Sequence, residues 1–250
     1  MTTHRFYAER LPAPGSAVRL SAEEGRHLGR VLRLRNGTRV LIFDGRGRQH
    51  EAMVTDDDSR RPVLQLGAAV AAAPEPAVDV TLGMTVLKGR KLDTVIRDAT
   101  TLGVTDIVPL VTRHTHSGGN ERAGGRLADR WRGIAVAAAK QCGRAVVPTI
   151  HSPVTFGGFI ESAPPQAVRL LLVEPAAAGA STATTDVLRR EPRPNCAALA
   201  IGPEGGWTDD EIRAAEAAGF RPLTLGRRTL RAETAPLAAL AILRFAWDDL

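Results

Sequence analysis

Cysteine is nearly absent: Cys142 and Cys196 are the whole supply in 250 residues. They show no C-x-x-C spacing and no nearby histidine pair, so neither a disulfide framework nor a zinc site is suggested. Both read as reduced thiols, Cys196 beside a core strand. No apolar run approaches the ~20 residues a membrane span requires, so no membrane is expected as a partner. Residues 1–5 lack the positive-then-apolar layout of a signal peptide, and the expectation is a cytoplasmic protein. G-x-x-x-x-G-K-[ST] is missing, which excludes a P-loop NTPase. No glycine-rich turn follows the first α/β strand either, where Lys88-Gly89-Arg90-Lys91 stands, and that argues against a Rossmann nucleotide site. Lysine is scarce, at positions 88, 91 and 140 alone, so a net charge of +6 is carried almost wholly by arginine. Arginine's fork suits bidentate phosphate contacts, and a pI near 10.3 favours a polyanionic partner, although a biased genomic composition would leave the same imprint.

What is present divides the chain in two. Residues 1–70 hold short alternating runs between turn signals, as in a small β-rich unit. Runs at 39–43 and 49–54 flank Asp44-Gly45-Arg46-Gly47, a hairpin. Ser21-Ala22-Glu23-Glu24 reads as a capping box opening a short helix with Leu28, Val31 and Leu32 at core spacing. Arg26, His27, Arg30, Arg33 and Arg35 cluster on or after that helix, nearly without acidic partners for i,i+4 pairing. They are either a solvated charged face or, the reading adopted, a contact for RNA backbone. Residues 71–77, small and proline-bearing, form the linker. From 78 the pattern is α/β: strand 80–87, helix 89–102 closed by Gly103, strand 106–110, a loop at 112–125, helix 127–141, strand 169–173 and helix 185–190. His114 and His116 in that loop lack a close carboxylate, and no metal site is read there. Arg113 is a further RNA contact.

The residues with the densest chemistry lie between 197 and 235. An apolar run ending at Ile201 breaks into Gly202-Pro203-Glu204-Gly205-Gly206, and Thr208-Asp209-Asp210-Glu211 is a capping box. A second run, 222–225, breaks at Gly226 into Arg227-Arg228-Thr229-Leu230-Arg231, after which Glu233-Thr234 opens a last helix. Strand, tight loop, helix thus occurs twice, and in parallel sheets ligands bind at the carboxyl ends of strands. The last helix, 235–247, has Pro236 in its first turn and is apolar nearly all round, so it must be buried within the chain or against another subunit.

IGPEGGWTDDE followed by LGRRTLRAETA resembles the paired signature of the RsmE family, 16S rRNA (uracil-N3)-methyltransferases of the SPOUT class. His4-Arg5-Phe6, the H-x-x-x-V-L-R pattern at 27–33 and the Gln141, Arg144, Pro148 segment extend the likeness over nearly the whole chain. The resemblance implies a PUA-like β-barrel RNA-binding domain at 1–70 and, at 78–250, an α/β SPOUT methyltransferase domain with a deep C-terminal trefoil knot. It implies a homodimer acting on 16S rRNA or the small ribosomal subunit. S-adenosyl-L-methionine would be held by Leu172, Ile201, Gly202, Pro203, Glu204, Gly205, Gly206, Leu225, Gly226, Leu230, Arg231, Thr234 and Ala235. His4, Arg5, Arg26, Arg30, Arg33, Arg113 and Arg144 would meet RNA. Because the uracil N3 proton must leave and its anion spreads over two carbonyl oxygens, Arg231 is the candidate cation. Glu233 and Glu204 are candidate bases. Each has a structural alternative, Glu204 as a carboxylate stabilised by the helix that follows and Glu233 as a cap of the last helix. Lys140 and Thr101 depart from the family, which commonly has glutamate at both; the two lost carboxylates are expected in one half of the fold. Competing readings are a SPOUT enzyme acting on a ribose 2′-hydroxyl or another RNA, and a non-catalytic RNA-binding relative. Binding of S-adenosylhomocysteine separates the last from the others.

Overall fold

The structure, a computed structural model, describes residues 4–58, 60–115, 124–177, 188 and 192–249. His116 and the expected helix at 185–190 lie outside the described residues, apart from the helical Leu188. The chain forms two compact units, Met1–Glu75 with Val136–Val147, and Pro76–Ala135 with Pro148–Leu250. Val136–Val147, which the sequence reading includes in the second domain, packs with the first unit.

The first unit is a five-stranded sheet. Strands β1 (Arg5–Tyr7), β2 (Ala17–Arg19), β3 (Arg39–Phe43), β4 (Gln49–Asp56) and β5 (Val63–Ala69) stand in the order β1-β3-β4-β5-β2. β3 and β4 form the expected hairpin, Arg39 opposite Met53 and Phe43 opposite Gln49. Period-2 alternation turns Ala52, Val54, Leu64 and Leu66 inward onto Phe6, Leu28, Val40 and Ile42. Helix α1 (Ala22–Arg26) starts at Ser21, whose hydroxyl accepts the Glu24 amide at 3.2 Å. The capping box is only half made. Glu24 turns away from it and pairs both carboxylate oxygens with Lys140 Nζ at 2.8 Å, with both side chains largely buried. The helix then loosens over His27–Val31 into π-type bonding, Leu32 N–H reaching His27 O at 2.9 Å. Leu34 N–H returns to Leu28 O at 3.1 Å, a closure that puts Arg33 in the left-handed region at φ 54°.

Val136–Val147 joins this unit because Arg5 caps it. The Arg5 guanidinium donates to Ala139 O, Lys140 O and Arg144 O at 2.7, 3.1 and 2.9 Å, the carbonyls at the end of helix α3 (Gly124–Cys142). It also holds Gln49 Oε1 and lies 4.7 Å from the Phe43 ring centroid. A cation at a helix C-terminus is where the macrodipole favours it.

The second unit is built on a seven-stranded parallel sheet. Its strands are β6 (Asp79–Thr85), β7 (Asp106–Val111), β8 (Thr149–Ile150), β9 (Val154–Thr155), β10 (Val168–Leu172), β11 (Cys196–Ile201) and β12 (Arg221–Leu223). The order is β12-β10-β11-β6-β7-β8, with β9 also against β7. Pro222 is tolerated because β12 is an edge strand. Among the helices are α2 (Lys91–Thr101), α4 (Phe156–Ser162), α5 (Asp209–Ala217) and α6 (Ala235–Ala246). Thr101, exposed at the end of α2, belongs to this unit and Lys140 to the other, where one half of the fold was expected to hold both. Helix α6 was expected to be apolar nearly all round, yet Arg244 on its buried face is 1% exposed. Its guanidinium donates to Val78 O and Gly103 O at 2.7 Å each and pairs with Asp249, which accepts the Ala77 and Val78 amides. Removing one partner from such a buried pair costs about 3–5 kcal/mol.

Candidate functional site

A cavity of about 300 Å³ opens at the carboxyl ends of β10, β11 and β12. Its walls come from the three strand ends and two loops, 202–208 and 224–234. Leu172, Ile201, Gly202, Pro203, Glu204, Gly206, Leu225, Leu230, Arg231 and Ala235, all expected from sequence, line it. Gly205, Gly226 and Thr234 do not appear in that lining. Gly205 backs onto His114, whose Cβ lies 3.3 Å from where a Gly205 Cβ would stand. Gly226 is exposed at φ 100°, and Thr234 is the exposed N-cap position of α6. Sequence reasoning missed Val173, Glu174, Pro175, Trp207, Thr224, Thr229 and Ala232 and left Arg228 unassigned. The one available signal was position: each flanks a strand end or loop residue already marked.

The first loop owes its shape to Trp207. Its indole N–H donates to Leu172 O at 2.8 Å, and its ring lies 4.4 Å from that of Phe156. Gly202 runs under this ring, and a Cβ there would sit 3.0 Å from Trp207 Cε2, so glycine is required for the close approach. Gly206 has φ 69°, which closes the turn through its amide to Pro203 O at 3.0 Å. The capping box then holds as expected: Thr208 Oγ1 accepts the Glu211 amide and Glu211 Oε2 accepts the Thr208 amide. Glu211 Oε1 takes the Arg113 main-chain amide at 2.9 Å, and His114 Nδ1 lies 3.2 Å from Gly206 O. His114 therefore supports the loop, and among the described residues no group of three or more metal-ligating side chains occurs.

The second loop carries Arg228 and Arg231, both exposed and both lining the cavity, which Glu174 and Glu204 line as well. Glu233, expected as a base, is not among the lining residues. Its Oε2 is closed off from solvent, makes no hydrogen bond among the described residues and lies 3.4 Å from Lys91 Nζ. Lys91 also donates to Glu204 Oε1 at 2.9 Å, and that hydrogen bond, more than Glu233, raises the lysine pKa.

In the first unit Arg26, Arg30 and Arg33 are exposed along the α1 segment, with Val31 66% exposed among them. His4 is half-buried, its carbonyl accepting the Leu41 amide at 2.8 Å. Arg113 is exposed. Arg5 and Arg144, expected to meet RNA, are both engaged within the first unit. Arg5 caps α3, and Arg144, 4% exposed, pairs with Glu75 at 2.6 Å.

Residues 74–244 match the model of an RNA methyltransferase domain, and residues 20–66 that of an RNA methyltransferase PUA domain. Ribosomal RNA small subunit methyltransferase E of Synechocystis sp. is 37% identical over 227 residues, 90% of this chain and 72% of that protein. Two solved structures superpose over 98% of this chain and 98% of their own. One is a protein from Legionella pneumophila in complex with the bound cofactor SAM, with a TM-score of 0.90 and 31% identity. The other is ribosomal RNA small subunit methyltransferase E from Neisseria gonorrhoeae bound to S-adenosyl methionine, with a TM-score of 0.87 and 30% identity. The expected architecture, a PUA-like unit followed by an α/β SPOUT domain, is the one these relatives share. With the domain match spanning well over half its length and whole-chain relatives of this kind, the chain belongs to the ribosomal RNA small subunit methyltransferase E family.

Proposed function

We propose that this chain transfers the methyl group of S-adenosyl-L-methionine to N3 of a uridine in 16S rRNA, free or within the small ribosomal subunit. The observation that carries this reading is the cavity at three adjacent strand ends, whose glycine-bearing first loop leaves main chain within reach and whose second loop holds Arg231 at the wall. The residues fit the cofactor: Leu172, Leu225 and Leu230 give apolar cover for an adenosyl group, and Gly202 and Gly206 bring main chain to the wall without a side chain. When bound there, S-adenosyl-L-methionine supplies an electrophilic methyl group. The chain's own task is to place the uracil in line and favour loss of its N3 proton. Arg231 does the second by donating from its guanidinium to a carbonyl oxygen as the anion forms, while the proton passes to solvent water. Glu233 holds the loop. Arg26, Arg30 and Arg33 contact RNA phosphates.

The chain acts as a homodimer. One face of α6, with Ala239, Leu240 and Leu243, is buried within the second unit, while Leu237, Ala241 and Ile242 on the other are only half-buried and Phe245 is 60% exposed. Sedimentation is expected to give about twice the 26.6 kDa chain mass. Phe245→Glu should yield a folded monomer, whereas Leu240→Glu, at a fully buried position, should unfold the chain. A monomeric native chain would remove the dimer.

Mass spectrometry of 16S rRNA nucleosides tests the activity. Cells lacking this chain should lose 3-methyluridine and regain it when the chain is restored. Its persistence in the lacking strain would overturn the assignment.

A further inference from the structure

Lysine is scarce in this chain, and Lys91 stands where helix physics disfavours it. It is the first residue of α2, after an Arg90 N-cap that makes no side-chain capping bond. The positive end of the helix dipole repels a cation there. Two carboxylates account for its place. Glu204, in the loop after β11, accepts from Lys91 Nζ at 2.9 Å. Glu233, in the loop after β12, brings its solvent-shielded Oε2 to 3.4 Å from the same nitrogen, with no hydrogen bond of its own among the described residues. One ammonium thus bridges the two loops that wall the cavity. Without it two like charges would face each other, one through an oxygen closed off from water.

We propose that Lys91 is a positioning residue for the reaction, a latch that holds loop 224–234 to loop 202–208 through Glu233 and Glu204. Its role in turnover rests on the function proposed above. Lys91 touches neither cofactor nor substrate; it acts through Glu233 on Arg231. The link is short, because Arg231 O accepts the Thr234 amide at 2.9 Å in the turn that contains Glu233.

Hydrogen exchange read by mass spectrometry tests the latch on the full chain without any substrate. Lys91→Met should speed exchange of the 226–234 amides about tenfold while leaving 202–208 within about twofold, and Lys91→Arg, which keeps the charge, should stay near the native rate. Glu233→Gln should loosen the same amides, and adding Lys91→Met to it should loosen them no further, since Lys91 acts on that loop through Glu233. Calorimetry with S-adenosylhomocysteine should show Lys91→Met binding about tenfold more weakly, and Lys91→Arg within about threefold of the native chain. Unchanged exchange in Lys91→Met, equal loosening in Lys91→Arg, or additive effects of the two changes would overturn the latch. A native chain that binds no S-adenosylhomocysteine would count against the proposed function instead, and the exchange comparison would still decide the latch.

Discussion

Loop 202–208 is fastened along its whole length, by Thr85 Oγ1 to Ile201 O at 2.9 Å, Trp207 Nε1 to Leu172 O, the Gly206 turn, and the capping box shared with Arg113. Loop 224–234 is held differently. Among the described residues its contacts include a side-chain bond from Thr224 to Gly226 O at 3.2 Å, the turn at Arg231, and the Glu233–Lys91 ion pair. Glycine in the first serves close approach; exposed arginine in the second serves reach. In the function proposed above, both loops wall one cofactor cavity, and the more lightly tied of the two carries the arginine assigned to the acceptor base.

The sharpest way to break this contrast is to fill the same volume in each loop. Gly202→Val would drive its Cβ and two methyl groups into the Trp207 ring, which is pinned on two sides. S-adenosylhomocysteine affinity should fall more than about 100-fold by calorimetry, with an overpacking cost of about 1–3 kcal/mol in stability. Gly226 has open space around it but φ 100°, so Gly226→Val should cost about 1–2 kcal/mol of strain and leave affinity within about tenfold. Equal losses of binding in the two variants would dissolve the distinction between wall and arm.

Arg231→Lys separates the loops by function. It keeps the charge and loses the fork, so turnover should fall about 100-fold while S-adenosylhomocysteine affinity changes less than about threefold. Part of the lost rate should return as pH rises, because solvent then removes the N3 proton unaided. Binding that weakens in step with the rate would place Arg231 in the cofactor wall.

Sequence and structure meet unevenly across these regions, for a physical reason. Loop 202–208 was legible because its determinants are neighbours: a strand that stops, glycines, and Thr208 three residues before Glu211. Strands β3 and β4 were legible in the same way, from alternation around a glycine turn. What eluded the sequence were charges spent on distant partners. Arg5 looks like a surface cation until Ala139 O, 134 residues away, is seen to need it. Lys140 and Glu24 are 116 positions apart, and Arg244 reads as an interruption in an apolar helix until Val78 O and Asp249 surround it. Lys91 and Glu204, 113 apart, belong to the same class. Composition reports how many cations a chain has, and only the fold decides which of them remain for a ligand.

The smallest of the expected effects is also the most discriminating. Trp207→Phe keeps an aromatic ring over Gly202 and against Phe156 but removes the indole N–H, leaving Leu172 O without the bond that ties loop 202–208 to the end of β10. A single neutral hydrogen bond is worth about 1 kcal/mol net, so the loss should appear as roughly fivefold weaker S-adenosylhomocysteine binding and about 2–4 °C in melting temperature. Its position in the molecule should show more clearly than its size. Amides of 202–208 should exchange faster while those of 226–234 hold their native rate, the mirror image of Lys91→Met. Should Trp207→Phe loosen both loops together, the two walls open as one cooperative unit, and the contrast between a firmly tied loop 202–208 and a lightly tied loop 224–234 would have to be given up.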